Sequence, residues 1–261
     1  MMFNFLIYLS IFVFGLIFGS FLNCVIYRLH SGESFLKGRS FCPNCQHILS
    51  WPDLIPVFSF LILKGKCRYC HKPISLQYPL VELATGTVFL LIFWNLEFGI
   101  WDLLFRLLIS CFLIIIFVYD LKHYIIPDQV IYPAIVIAFL YNIYQFTIDN
   151  QQSTINNFLS AFGAAAFFLT LVLISYEKWL GWGDVKLAFL MGLFLGWPKI
   201  LLALFLAFFI GAIIGIELII LGKKTLKSEI PFGPFLVSGT FLALFFGQKI
   251  LDWYLNLFLL K

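Results

Sequence analysis

The chain has 261 residues, 62% of them hydrophobic and 11% charged, with 33 phenylalanines and a formal net charge of +4. Soluble domains are nearer half apolar and a quarter charged, so the composition excludes a soluble enzyme and points to an all-α polytopic membrane protein. No basic-aromatic stripe argues for nucleic acid; the basic cluster within 64–72 reads as loop solvation and attraction to anionic membrane lipid.

A membrane span needs about 20 apolar residues. Such runs predict eight transmembrane helices, near 2–27, 80–98, 101–119, 128–147, 157–176, 185–198, 199–221 and 234–257. The sixth is short. The first is not a cleavable signal: its apolar run is long, it lacks a basic start, and Gly19-Ser20 leads into "FLNCVIYRL", not into a cleavage site. It is expected to remain as a helix over 1–29. The pairs Gly15/Gly19, Gly192/Gly196 and Gly211/Gly215 have the spacing of close helix crossings.

The segment 30–79 is the one long connection, and it carries Cys42-x-x-Cys45 and Cys67-x-x-Cys70. Two such pairs suit tetrahedral thiolate coordination of Zn. Iron is the alternative metal, and four reduced thiols without metal the plain one. His47 and His71 flank the pairs but are not needed as ligands. Cys24 and Cys111 fall inside spans and read as packing residues. Between the pairs, "ILSWPDLIPVFSFLIL" is apolar but broken by Pro52, Asp53 and Pro56. It predicts either a small folded unit, with Trp51 supporting its packing, or a segment on the membrane interface.

Lys and Arg set the orientation. Alternate connections hold the basic residues from Arg28 to Lys72, then Lys122, Lys178, Lys186, Lys223, Lys224 and Lys227; the other face keeps Arg106, Lys199, Lys249 and Lys261. The 30–79 domain is therefore expected in the cytoplasm, with both termini outside. Asp120, ending the third span, and Asp184, starting the sixth, fall at the same cytoplasmic border.

Acids at membrane depth are costly and mark function by default. Two carboxylates on neighbouring helix ends can share one proton, so that one stays protonated while the other acts as base. That arrangement activates water against a peptide bond. Gly181 and Gly183, in "GWGD", permit close approach beside Asp184. Asp128 follows Pro127 and reads as a helix-start carboxylate, leaving Asp120 as the better catalyst. Glu82 has a similar, weaker explanation, and Glu217 has no evident partner. Lys122 and Lys186 read as snorkelling cations. In "IPFGPFLVSG", Pro231, Gly233 and Pro234 predict a rigid bend that could offer free backbone groups to an extended peptide.

Taken together, "GSFLNCVIYRL", "CPNC" and "CRYC", "LSWPDLIPVFSFL" with "ISLQYPLVELATG", "YDLKHYIIPD", "GWGDVKLAFLMGLFLGW" and "PFGPFL" resemble, in order, the segments of the type IV prepilin peptidases. These are bacterial membrane aspartyl proteases of the GxGD class. The resemblance implies catalytic aspartates at Asp120 and Asp184, within a protease core over 80–261. It implies Zn held by Cys42, Cys45, Cys67 and Cys70. The implied substrates are type IV prepilins or pseudopilins, cut after glycine at the cytoplasmic face of the bacterial inner membrane, with pilus or secretion assembly machinery as further partners. It also implies N-methylation of the new N-terminus with S-adenosylmethionine, although no glycine-rich fingerprint marks that cofactor's site. Tyr119 departs from the aliphatic residue expected before the first aspartate. The alternatives are a leader peptidase without methylation and a proton-coupled transporter. The absence of repeated halves argues against the transporter.

Overall fold

The computed structural model describes residues 2–32, 34, 38–95, 99–148, 151–225 and 228–259. Lys227 and Lys261, used above for orientation, lie outside them. Two compact units, Met1–Ile115 and Ile116–Lys261, divide the chain within one helix.

The first unit begins with α1 (Met2–Ser31) and, after the cysteine loop, α3 (Gln77–Trp94). The two helices cross tightly because glycine faces glycine. A Cβ on Gly15 would lie 2.7 Å from Gly86 Cα, and one on Gly19 would lie 2.6 Å from Glu82 Cα. Between these helices the loop folds into a 3-10 turn (Trp51–Leu54) and the short α2 (Phe58–Ile62). Among the described residues there are no strands, only two isolated bridges, Phe41 with Ile48 and Lys66 with Pro73. The buried Arg28, near the end of α1, donates to the carbonyls of Ser34 and Arg39 and fastens the loop's start to the helix.

α4 (Ile100–His123) runs across the division between the units; its last turns belong to the second. There follow α5 (Asp128–Thr147), α6 (Gln151–Ser175), α7 (Trp182–Leu195), α8 (Lys199–Ile220) and α9 (Gly233–Leu259). The core of the second unit is α7. Leu187, Ala188, Leu190 and Met191 are wholly buried. A Cβ on Gly192 would stand 2.3 Å from Ala161 Cα of α6. Gly239 plays the same part between α9 and α8, where a Cβ would lie 2.3 Å from the carbonyl oxygen of Ala203. Asn142, 1% exposed, donates to Leu193 O and accepts from Asn157 Nδ2, so one amide joins α5, α6 and α7. Side-chain amides hold membrane helices together in this way.

Seven described helices are long and apolar enough to cross a membrane. The eighth expected span is α7, at 14 residues. That is about 21 Å of helix, short of a bilayer core, and other helices cover most of it. Glu217, for which the sequence offered no evident partner, lies near the end of its span. It is exposed, in the last turn of α8.

Candidate active site and metal centre

Asp120 and Asp184 both belong to the second unit, and both are buried, at 4% and 8% exposure. Asp120 sits in the last turn of α4. That helix is closed by Tyr124, whose N–H bonds the Asp120 carbonyl at 2.8 Å from a left-handed φ of 59°. The following "IIP" leads directly to α5. Asp184 is in the first turn of α7, where its Oδ2 accepts the Gly181 N–H at 3.1 Å. The N-terminal end of a helix favours a negative charge there. The two carboxylates are near enough for their charges to interact.

The bend "PFGP" is the third piece. Gly233 N–H donates to Asp120 Oδ2 at 3.0 Å. This backbone group, expected to be free for a peptide, is committed to the aspartate. A Cβ on Gly233 would fall 2.5 Å from that same oxygen, so no other residue fits without moving it. Pro234 follows in the first turn of α9, and Pro231 precedes the bend. Phe232 packs among Phe168, Phe208 and Phe235. Gly183 is pressed against Ile126, whose Cβ would be 3.0 Å from a new one; Gly181 has open space and an ordinary φ. Ile126 also approaches Gly233, so it wedges between the two glycine segments. Sequence reasoning missed it, because an isoleucine in an apolar run carries no signal.

Asp128 stands apart. It is largely exposed and pairs with Lys186 Nζ at 2.6 Å, while that ammonium lies 4.7 Å from the centre of the Tyr132 ring. Lys186 is therefore held by a partner, in place of the lipid-directed role its sequence position suggested.

In the first unit the two cysteine pairs form a matched set of turns. Cys42 N–H bonds His47 O and Cys67 N–H bonds Lys72 O; Gln46 N–H bonds Cys42 O and His71 N–H bonds Cys67 O. Gln46 and His71 both adopt left-handed φ, at 58° and 56°. Four sulfurs converge within 4.8 Å of one another. Cys42 and Cys70 Sγ are 3.9 Å apart, against about 3.8 Å for the edge of a tetrahedron of Zn–S bonds and about 2.05 Å for a disulfide. Burial pulls the Cys42 thiol up, but N–H groups of Cys45 and Asn44 and the adjoining thiols outweigh it, bringing it to about 7. Cys45, despite an N–H from His47, is pushed up to about 11 by desolvation and by the thiols of Cys42 and Cys70. Such a cluster resists full ionisation unless a cation joins it, so the donor set fits a thiophilic metal. His47 instead packs against the Tyr69 ring, tilted by 35°. Asp53 ties the loop's middle to the second turn, accepting from Ser50 Oγ at 2.7 Å and Arg68 Nε at 2.7 Å.

Beside the cluster, within the same unit, lies a cavity of about 350 Å³. Its walls include Asn23, Tyr27, Phe60, Tyr78 and Glu82, with Cys42 and Cys67 at one side. Glu82 accepts the Val57 N–H at 2.7 Å, so it anchors the loop instead of capping its own helix. Trp51, expected to support the loop's packing, is 77% exposed.

Residues 13–96 match the family model of the bacterial peptidase A24 N-terminal domain, and residues 107–216 that of the type IV leader peptidase family. The chain is 32% identical to a prepilin leader peptidase/N-methyltransferase of Aeromonas hydrophila, over 95% of this chain and 94% of the relative. It is 33% identical to the protein of that name from Bacillus subtilis (strain 168), over 95% and 97%. For the Legionella pneumophila protein of that name the figure is 30%, over 95% and 94%. No solved structure matches. The seven spans and the bacterial relatives fit an inner-membrane protein.

Proposed function

Because the chain belongs to the type IV leader peptidase family, we propose that it cuts the leader from a type IV prepilin or pseudopilin and N-methylates the residue so exposed. Asp120 and Asp184 carry the cleavage. One carboxylate, ionised, takes a proton from water; the other, protonated, donates to the peptide carbonyl, and the resulting tetrahedral species collapses as the leaving amine is protonated. The observation that carries this reading is the convergence of two buried carboxylates, each held by one backbone N–H, from Gly181 and Gly233. Each amide fixes one oxygen and leaves the other for water or substrate. Ile126 and the glycines keep the segments close. The distribution of Lys and Arg along the chain supports a cytoplasmic position for both aspartates, where a short basic leader would lie.

Cys42, Cys45, Cys67 and Cys70 hold Zn, whose part is structural: four thiolates leave no open coordination position. S-adenosylmethionine, when bound, supplies the methyl group. The cavity of the first unit has the size of a small-molecule site, which runs from about 300 to 1,000 Å³. Its aromatic walls at Tyr27 and Tyr78 suit a flat base, and Asn23 and Glu82 suit polar and cationic groups. Gln77 Oε1, on the residue that donates to Asn23, is a buried acceptor without a protein partner.

Co-expression with a prepilin tests the reading. Mass spectrometry of the pilin N-terminus reports leader loss, and a further ~14 Da for a methyl group, one CH₂ added on balance. Asp120→Asn and Asp184→Asn should each leave full-length prepilin. Processing by either variant would remove the paired-acid mechanism. Cleavage without any added mass by the wild type would favour the peptidase that does not methylate.

A further inference from the structure

The cysteine loop carries an apolar surface that neither catalysis nor metal binding uses. On α2, Phe58 (61%), Leu61 (63%) and Ile62 (73%) are exposed. They recur at the i, i+3, i+4 spacing that puts side chains on one helix face. The other side of the same segment, at Ser59, Phe60 and Leu63, lines the cavity. Trp51 stands out from the adjoining 3-10 turn. Immediately after α2 come Lys64 and Lys66, both exposed. In a water-facing loop, grouped large apolar side chains are unfavourable and mark a contact surface.

The hydrogen bond from Val57 to Glu82 sets the depth of this surface. Val57 is the residue before α2, and Glu82 lies on α3, a candidate membrane span of 18 residues. At about 1.5 Å per residue, that span is about 27 Å long, against a hydrocarbon core of about 30 Å. It has no length to spare, so even its first turns must lie at the membrane boundary. Glu82 is five residues past Gln77, about 7.5 Å further along the axis. Leu80 and Leu83, beside it, are exposed as lipid-facing residues are. The start of α2 is therefore pinned at the level of the second turn of a span.

We infer that Trp51, Phe58, Leu61 and Ile62 dock the metal loop into the boundary between acyl chains and headgroups of the adjoining leaflet, with Lys64 and Lys66 at anionic headgroups. The occupant is lipid, argued from depth and from charge: the loop is tethered to spans at both ends, and cations follow directly on the apolar face. Trp favours the interface, and apolar faces bordered by Lys lie in it.

The test uses the full chain in vesicles of phosphatidylcholine with phosphatidylglycerol, some lipids brominated near the headgroup. The emission lost in Trp51→Phe relative to wild type isolates the Trp51 signal. Bromolipid should quench most of it, and aqueous iodide little. Phe58→Ser with Ile62→Ser should reverse that order while zinc content stays unchanged. Quenching of Trp51 by iodide in the wild type would overturn the inference, and so would protection from both quenchers, which would mean that a protein covers the face. Equal bromolipid quenching in vesicles of phosphatidylcholine alone would remove the part given to Lys64 and Lys66. Neither readout uses catalysis, so a failure here is separate from a failure of the proposed peptidase.

Discussion

The loop of the first unit and the core of the second both hold ionisable groups in place, but the means differ. Around Cys42 and Cys67 the work is local: each pair sits in a turn closed within six residues, and one pattern of backbone bonds occurs twice. Around Asp120 and Asp184 it is non-local. The Gly233 amide that fixes Asp120 is 113 residues away in sequence, and the site exists only when α4, α7 and α9 have packed. A locally built site of four thiols would gain stability from a metal that joins it, since metal binding and folding are linked. A site built from distant segments depends on the close helix contacts that bring them together. The two units should accordingly fail in different ways.

The largest expected effect separates chemistry from fold. Asp120→Asn and Asp184→Asn should each lower prepilin cleavage by at least ~10³-fold, within the range of lost acid–base catalysis, with zinc content and thermal stability nearly unchanged. Wild-type cleavage should rise and fall with pH, because a pair sharing one proton is active in one ionisation state only. A flat profile over the working range would contradict the shared-proton arrangement.

On the other side of the comparison, Cys42→Ser and Cys67→Ser should reduce bound Zn from about one per chain to a small fraction. Protease sensitivity of residues 38–76 should rise, and methylation should be lost before cleavage. Chelator should reproduce this in the wild type. If cleavage fell as far as methylation in the same preparations, the local and non-local sites would not be independent.

Packing in the second unit can be probed at Gly192, where an added Cβ would meet Ala161 Cα at 2.3 Å. Gly192→Val should destabilise that unit by about 1–3 kcal/mol or more, as overpacking does, visible as a lowered unfolding temperature without loss of Zn. Gly233→Ala is subtler: its new carbon would stand 2.5 Å from Asp120 Oδ2. It should lower cleavage with little change in stability. An unaltered rate would show that the Gly233 amide does not position the acid.

Groupings that depend on residue type and short spacing were legible in the sequence: the paired cysteines, "GWGD", and an acid closing an apolar run. What the sequence concealed depends on which helices meet. Ile126 looks like any apolar residue until Gly183 and Gly233 are found against it. Gly239 belongs to no small-residue pair noted in the sequence, yet it sets the α8–α9 approach. Trp51 is exposed, whereas one of the two readings of its broken apolar segment has it supporting a small folded unit. Asp128 and Lys186 lie too far apart in sequence for their ion pair to be read.

That ion pair gives the smallest effect and the finest test of the comparison. Asp128 lies only eight residues from Asp120, and both are acids bordering the α4–α5 turn. Burial distinguishes them: Asp120 is 4% exposed, whereas the Asp128 side chain is 60% exposed and neutralised by Lys186. An exposed pair of this kind contributes at most about 1 kcal/mol, and the Tyr132 ring still holds the ammonium when the carboxylate is gone. Asp128→Asn should therefore retain most of the cleavage, with a slightly lower unfolding temperature. Raising the salt concentration should shrink the difference from wild type, because ions screen an exposed pair and hardly reach a buried one. A dead Asp128→Asn beside an active Asp120→Asn would exchange their roles, and burial would then have been the wrong criterion for choosing between them.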